Sequence, residues 1–369
     1  MAIAALWRGV APRASEVYGH TSLRGLAALC VVGYHAALIA QADELAWGLV
    51  TGFLLSSFLF VDLFFVLSGF IMVEAYGASM RGAWGPGGSG LRAALSYWRR
   101  RALKILPNYY IWLGVAIAFW AARAAYFDNP KLQDPCFGQA VWAHLILVQN
   151  FTQTCANFNT PLWSIVVELL AYLAFPALVL LVPFWPVLGL GGVALYTWVY
   201  LGWGTVDVLT DYQSVLRCLA GFSIGMALAA LTPRLPRRLL VWGQGPALLA
   251  VLVSVSWDAQ PWALASIALL VALTAQNAGP LVAALRLRPF YLLGRASFSI
   301  YLAHIPILGA LNLILSKLQS QTGILLATDW QLFVPISMVI CAVIGLAAYQ
   351  MIERPLEQLG RRTAQRPRS

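Results

Sequence analysis

Ten runs of apolar residues dominate the sequence, and each is long enough to cross the hydrocarbon core of a bilayer as an α-helix. They lie near residues 25–41, 57–76, 107–127, 162–182, 187–203, 213–231, 239–256, 262–278, 296–315 and 332–352. The runs are continuous rather than alternating, which excludes transmembrane β-strands. Hydrophobic residues make up 60% of the chain and charged residues 10%, so a soluble fold could not bury the apolar surface. The sequence predicts an all-α integral membrane protein with about ten transmembrane helices.

The distribution of positive charge predicts that both termini are cytoplasmic. Lysine and arginine are enriched in the cytoplasmic loops of membrane proteins. If the N-terminus lies inside, 20 of the 24 Lys and Arg residues fall on that side. Those on or near the other side are Arg123, Lys131, Arg217 and Lys317. The asymmetry accounts for the net charge of +10 without a nucleic-acid partner.

We expect the whole chain, residues 1–369, to form one polytopic membrane domain. It would have a cytoplasmic lead (1–21), a long outer loop (128–161) and a basic cytoplasmic tail (353–369). Cys136 and Cys155 both fall in the outer loop, where an oxidising exterior would permit a disulfide, although their spacing does not establish one.

The first apolar run, Ser22 to Ala40, carries an arginine and a histidine. Arg24 and His35 are 11 residues apart, which returns to nearly the same helix face about 16 Å along the axis. If this helix spans the bilayer, Arg24 lies at a water interface and His35 lies near mid-depth. An ionisable group at that depth indicates a functional site, whereas a histidine that only packs against a neighbouring helix would show the same pattern.

Three other spans also carry polar side chains on one face. They are Asp62 in the second span, Ser164, Glu168 and Tyr172 in the fourth, and Ser297, Tyr301 and His304 in the ninth. Residues at these spacings share a helix face, which should point into the bundle. Acid–base chemistry and proton-coupled transport would both use such groups.

A basic segment, SYWRRRALKILP, ends a predicted inner loop over residues 80–105. Its cations are Arg99, Arg100, Arg101 and Lys104. They could anchor the chain on anionic lipid, or they could dock a phosphorylated cytoplasmic donor. A second inner loop, residues 286–295, adds three cations, among them Arg295.

Five elements occur in a fixed order along the chain. They are Arg24 with ten residues before His35, VDLFFVLSGF (61–70), the element from Arg101 through Lys104 to Pro107, PLWSIVVELLAYLAFP (161–176) and LGRASFSIYLAHIPI (293–307). Together they resemble the membrane acyltransferase 3 family, the sugar O-acyltransferases typified by exopolysaccharide and O-antigen O-acetyltransferases. The chain resembles the stand-alone members of that family, and the resemblance implies ten spans.

The resemblance also implies which residues carry the function. The family's motif positions correspond to Arg24, His35, Arg101, Lys104, Glu168, Tyr301 and His304. At Lys104 the family has a second arginine, and lysine lacks the planar fork that binds a phosphate through two hydrogen bonds. We expect the phosphates of cytoplasmic acyl-CoA to meet Arg24, Arg99, Arg100, Arg101, Lys104 and Arg295. We expect the acceptor to meet Asp62, Asn159, Trp163 and Ser164.

The resemblance predicts transfer of an acyl group, by default acetyl, from acyl-CoA to a hydroxyl of a glycan or lipid-linked sugar at a bacterial inner membrane. His35 would take the hydroxyl proton, with Glu168, Tyr301 and His304 in supporting roles. An acyl-imidazole intermediate is an alternative. No metal is expected, since the four histidines are scattered along the chain. A proton-coupled transporter or flippase is the alternative function, but it does not explain the inner cations.

Overall fold

The structure is a computed structural model that describes residues 16–42, 48–127, 136–152, 158–323 and 329–358. These ranges are all-α and contain no strand. The helices are α1 (Tyr18–Ile39), α2 (Leu49–Leu55), α3 (Phe60–Met72), α4 (Ala78–Ala83), α5 (Gly90–Phe127), α6 (Cys136–Leu145), α7 (Leu162–Leu178), α8 (Trp185–Trp203), α9 (Asp211–Leu231), α10 (Arg237–Trp242), α11 (Gln244–Ser256), α12 (Gln260–Leu273), α13 (Pro280–Leu285), α14 (Arg288–Thr322) and α15 (Trp330–Ala348). Cys155 lies outside the described residues, so its disulfide with Cys136 stays a prediction.

Within the described ranges, seven helical stretches are long and apolar enough to cross a membrane. They are Tyr18–Ile39, Ser57–Ala83, Gly90–Ala125, Leu162–Trp203, Asp211–Arg234, Arg288–Thr322 and Trp330–Gln358. The predicted spans at 162–182 and 187–203 form one helical stretch, interrupted by a 3₁₀ segment at Val179–Phe184. Two further predicted spans correspond to α11 and α12, whose 13 and 14 residues give a length of about 20 Å each. The count of ten spans and the cytoplasmic termini therefore stay predictions.

The basic segment is helical. Helix α5 runs for 38 residues from Gly90, through the arginines and past Pro107. Within the predicted inner loop over residues 80–105, residues 84–89 are non-helical, whereas the basic segment forms a helix because Arg, Lys, Leu and Ala favour helix and positive charge does not end one. The cations of this segment are therefore distributed around a rigid helix.

Close helix crossings hold the centre of the bundle together. Helix α1 packs against α14, where Gly25 lies beside the backbone of Gly294. Helix α3 packs against α9, where a methyl group on Gly225 would overlap the carbonyl oxygen of Val66. Small residues allow such approaches between membrane helices. The first crossing brings His35 of α1 against His304 of α14.

Candidate active site

The two histidines predicted to be catalytic are in contact. Nε2 of His304, on α14, lies 3.2 Å from Nδ1 of His35, on α1, and the ring centroids are 4.9 Å apart. His304 is fully buried, whereas His35 is partly accessible. His304 therefore lies behind His35, and His35 is the member of the pair that a substrate can approach.

The hydrogen bonds of the pair define its tautomers. Nδ1 of His304 lies 2.7 Å from the carbonyl oxygen of Tyr301, which can only accept, so this nitrogen carries the hydrogen. In a neutral His304, Nε2 is then an acceptor. Nδ1 of His35 faces that acceptor and also lies 3.0 Å from the carbonyl oxygen of Val31, so it must be a donor. A neutral His35 therefore has its lone pair on Nε2, as a general base requires.

His35 lines a cavity of about 210 Å³, here called the His35 cavity. The polar and aromatic residues in its wall are Tyr34, Phe58, Thr160, Trp163, Asp207, Arg217 and Tyr301. The Tyr34 hydroxyl donates to Oδ2 of Asp207 at 3.4 Å. Asp207 lies in the loop between α8 and α9, where burial raises the pKa of its carboxyl group while nearby Arg217 opposes the rise. The cavity thus combines one imidazole, one carboxylate, one guanidinium and aromatic faces.

Arg217 of α9 and Asp62 of α3 form a fully buried ion pair. Nε of Arg217 lies 2.9 Å from Oδ1 of Asp62, and NH2 lies 3.1 Å from Oδ2. The hydroxyl of Tyr196 donates to the same carboxylate at 3.1 Å. The sequence placed Arg217 on or near the outer side of the membrane and predicted that Asp62 meets the acceptor. The structure joins the two side chains across 155 residues of chain, and Asp62 is not among the residues that line the His35 cavity, so its predicted role stays a prediction.

A second cavity, here called the Arg24 cavity, encloses about 90 Å³. Its charged lining residues are Arg24, Arg101, Lys104, Glu168 and Glu353. Three of the predicted donor-binding cations therefore share one space, with two carboxylates. Glu353 accepts a hydrogen bond of 2.9 Å from the hydroxyl of Ser299.

Glu168 belongs to a compact hydrogen-bond cluster in the Arg24 cavity. The hydroxyl groups of Tyr172 and Ser68 both donate to Oε1 of Glu168, Tyr172 at 2.5 Å. The Tyr172 hydroxyl also lies 3.1 Å from Oγ of Ser68. Glu168 is thereby fixed on the wall of the cavity that holds the cations, and it is not among the residues that line the His35 cavity.

Arg101 is surrounded by tyrosines rather than by a carboxylate partner. Its NH2 group donates to the hydroxyl of Tyr76 at 2.7 Å. Its guanidinium carbon lies 4.9 Å from the centroid of the Tyr76 ring and 5.8 Å from the centroid of the Tyr172 ring. Its Nε is buried without a hydrogen-bond partner among the described residues. A guanidinium held by aromatic faces keeps donors available for an anion.

Tyr301 lines both cavities and lies at their junction. Its hydroxyl is 2.8 Å from Oγ of Ser164, and its ring centroid lies 5.5 Å from that of Phe64. Ser164 and Phe64 both line the Arg24 cavity. The two cavities thus abut at a wall of side chains, within the same helix bundle.

The remaining predicted site residues lie elsewhere. Arg295 pairs with Glu357 at 3.1 Å and with Glu16 at 3.7 Å, and it is not among the residues that line the Arg24 cavity. Arg99 and Arg100 are exposed on α5. The amide of Asn159 donates to the carbonyl oxygen of Leu302 at 2.8 Å, a contact between a loop and α14. The roles predicted for these residues stay predictions.

The sequence did not single out Arg217, Asp207 or Glu353 as site residues. Arg217 gave one usable signal, because an arginine within the apolar run 213–231 is rare unless it is paired in the bundle interior. Glu353 and Asp207 lie at the edges of predicted spans, where carboxylates are common. Their places in the two cavities depend on tertiary packing that periodicity does not reveal.

A family model described as an acyltransferase domain matches residues 18–349. The chain belongs to this acyltransferase family. The match covers every helix from α1 to α15, all residues that line the His35 cavity, and the residues that line the Arg24 cavity except Glu353. Membership supports acyl transfer, and together with the apolar helices it supports a multi-pass membrane protein. The resemblance inferred from the five sequence elements is confirmed.

The chain is also similar to a curated protein, Acyltransferase MdmB of Streptomyces mycarofaciens. The two are 31% identical over 176 residues. The match covers 45% of this chain and 40% of that relative, so the chain spans less than half of the relative's length. No solved structure matches the chain.

Proposed function

We propose that this acyltransferase moves an acyl group, acetyl by default, from cytoplasmic acyl-CoA to a hydroxyl of a cell-surface or exported glycan at a bacterial inner membrane. The observation that carries the proposal is the position of His35. Its Nε2 is the proton-accepting atom of a neutral histidine pair, and His35 lines a cavity that abuts the cation-lined Arg24 cavity at Tyr301.

The Arg24 cavity is suited to the phosphates of acyl-CoA. Arg24, Arg101 and Lys104 supply positive charge, and Nε of Arg101 has no hydrogen-bond partner within the described ranges. Phosphate groups prefer such charge-assisted donors. The narrow pantetheine arm would extend from this site past Tyr301, which requires the contact between the hydroxyls of Tyr301 and Ser164 to break.

The His35 cavity is suited to a hydroxyl-bearing acceptor. Trp163 and Tyr34 offer aromatic faces for the apolar face of a sugar ring, and Asp207 and Thr160 offer hydrogen-bonding oxygens for its hydroxyl groups. The acceptor hydroxyl would lie against Nε2 of His35, so that proton removal and attack occur in one place.

The proposed reaction is direct transfer. Nε2 of His35 takes the proton of the acceptor hydroxyl while the hydroxyl oxygen attacks the thioester carbon. The carbonyl electron pair moves onto oxygen, and its return breaks the carbon–sulfur bond. His35 then gives its proton to the departing thiolate. The products are an O-acyl ester and free CoA, and neither CoA nor its phosphates cross the membrane.

Two measurements test the proposed function. Surface glycans from cells with and without the intact protein are compared by mass spectrometry, and we expect a mass increment of 42 Da per acetyl group only when the protein is present. In parallel, thiol release from acetyl-CoA, propionyl-CoA and succinyl-CoA by the purified chain is followed. Identical glycan masses combined with no thiol release would contradict the proposal. Movement of glycan without thiol release would favour a transporter.

A further inference from the structure

Arg217 is a buried guanidinium whose donors are only partly used. Its side chain is 0% exposed. Nε and NH2 bind the two oxygens of Asp62, and NH2 also donates to the carbonyl oxygen of Phe58 at 3.4 Å. NH1 has no hydrogen-bond partner among the residues that the structure describes.

An unpaired donor on a buried cation is costly for folding. A guanidinium taken out of water needs partners for its N–H groups, and buried polar atoms are nearly always satisfied. Here Asp62 neutralises the charge and fixes the orientation of the guanidinium, yet no described residue satisfies NH1. Such an exception calls for an explanation, and a ligand that supplies the missing acceptor is one.

Arg217 borders the cavity in which we place the reaction. It lines the His35 cavity, and its guanidinium carbon lies 5.6 Å from the centroid of the Trp163 ring and 5.8 Å from the centroid of the Phe58 ring. Phe58 continues the same wall, with its ring centroid 5.7 Å from that of Tyr34, which in turn lies 4.9 Å from that of His35. The cation and the imidazole thus line one cavity, and electrostatic interactions of the buried guanidinium are stronger there than in water.

The tyrosine hydroxyls and the carboxyl group of this cavity are less able to bind a negative oxygen. The Tyr34 hydroxyl faces Asp207, and the Tyr301 hydroxyl faces Ser164. Asp207 is itself a carboxyl group. Among the described residues that line the cavity, Arg217 is the one that combines a positive charge with a free donor.

We propose that Arg217 is a catalytic residue whose NH1 group donates a hydrogen bond to the oxyanion formed when the acceptor attacks the thioester. This role rests on the proposed function. As the acceptor oxygen bonds to the carbonyl carbon, the π electron pair moves to the carbonyl oxygen, and that oxygen faces NH1. When the pair returns, the carbon–sulfur bond breaks and NH1 loses its partner. Asp62 keeps the guanidinium in one orientation throughout, so the guanidinium itself does not reorient when the oxyanion forms.

The test separates this catalytic role from a purely structural one. Replacing Arg217 alone would leave Asp62 as a buried unpaired charge, and the chain could fail to fold. The double variant Arg217→Met with Asp62→Leu removes both charges and fills the space with apolar atoms. A second variant, Arg217→Lys, keeps the charge opposite Asp62 but removes the planar fork. Ser254→Ala, which removes a buried hydroxyl between α11 and α12, is the matched control.

Each purified variant is assayed for thiol release from acetyl-CoA with water as the nucleophile, for binding of CoA and for its melting temperature. We expect the double variant to melt near the temperature of the unaltered protein and to bind CoA within twofold. We expect its kcat to fall about 100-fold, as for loss of one oxyanion donor, and that of Arg217→Lys to fall about tenfold. The Ser254→Ala variant should keep its kcat.

Several results would overturn the proposal. A folded double variant with kcat within threefold of the parent would show that the ion pair is only structural. If the double variant does not fold, Arg217→Lys decides, and an unchanged kcat there rejects the role. If the unaltered protein releases no thiol from any acyl-CoA and glycans lack the modification, the proposed function fails and the role of Arg217 fails with it.

Discussion

Replacing His304 distinguishes a histidine that orients His35 from one that takes part in the chemistry. Nε2 of His304 accepts from Nδ1 of His35 at 3.2 Å, and its own Nδ1 donates to the Tyr301 carbonyl at 2.7 Å. The His304→Ala substitution removes this acceptor, whereas Nδ1 of His35 keeps its hydrogen bond of 3.0 Å to the carbonyl oxygen of Val31. The preference of His35 for the tautomer with hydrogen on Nδ1 is therefore reduced but not lost.

The size of the effect follows from one hydrogen bond. A neutral hydrogen bond contributes about 1 kcal/mol net, which changes the ratio of the two tautomers about fivefold. We therefore expect His304→Ala to lower kcat about five- to tenfold. Loss of the general base itself costs about 10²- to 10⁴-fold, so the two roles give clearly different results.

The assay is thiol release from acetyl-CoA by purified protein in lipid nanodiscs, with the KM for acetyl-CoA measured alongside. Because His304 is fully buried, the melting temperature of each variant is needed to confirm folding. The His304→Gln substitution is the control. Its amide oxygen can occupy a position near that of Nε2 and accept from His35, so most of the activity should return.

Two outcomes would refute this reasoning. If folded His304→Ala loses more than 100-fold in kcat, His304 takes part in proton transfer rather than in orientation. If kcat is unchanged, the contact between the two rings does not set the tautomer of His35. A kcat for His304→Gln that is no higher than the kcat for His304→Ala would also argue against an orienting hydrogen bond.

Three further predictions concern other parts of the bundle. Arg101→Lys removes the planar guanidinium group that contacts Tyr76, so the KM for acetyl-CoA in the thiol assay should rise about tenfold with little change in kcat. An unchanged KM would argue against binding of the acyl donor at Arg101. Gly225→Ala places a methyl group against the Val66 carbonyl, so the melting temperature should fall, and an unchanged value would contradict the close crossing. Burial raises the pKa of Asp207, so the folded state retains a proton that the unfolded state loses above about pH 4. The melting temperature should therefore decline as pH rises towards the raised pKa, and Asp207→Asn should flatten that part of the profile; the same slope in this variant would exclude Asp207 as its source.

Much of the fold could be predicted from the sequence because lipid imposes strong local constraints. A long apolar run must be helical, and the seven long stretches each overlap at least one predicted span. The internal structure of the runs was less predictable. Leu162–Trp203 is one helical stretch containing two predicted spans, and α5 extends through charged residues because helix propensity does not depend on the lipid boundary.

The candidate site could be predicted in part. Arg24 and His35 lie on one helix, so their spacing alone indicated a shared face. The contact of His35 with His304 required the packing of α1 against α14, across 269 residues of chain. The pairing of Arg217 with Asp62 depends in the same way on the crossing of α3 and α9. No local pattern encodes either contact, although the rarity of ionisable groups in apolar helices marked His35, His304 and Asp62.

The most direct test of the account is acyl transfer by the His35→Gln variant. Nε2 of His35 is the proposed proton acceptor, and glutamine keeps a polar side chain of similar length without a comparable base. Glycan acylation is measured by mass spectrometry in cells that contain equal amounts of the variant or the unaltered protein, with CoA binding checked on purified samples. We expect acylation to fall at least 100-fold while CoA binding is retained. Undiminished acylation by a correctly folded variant would contradict the assignment of His35 as the base.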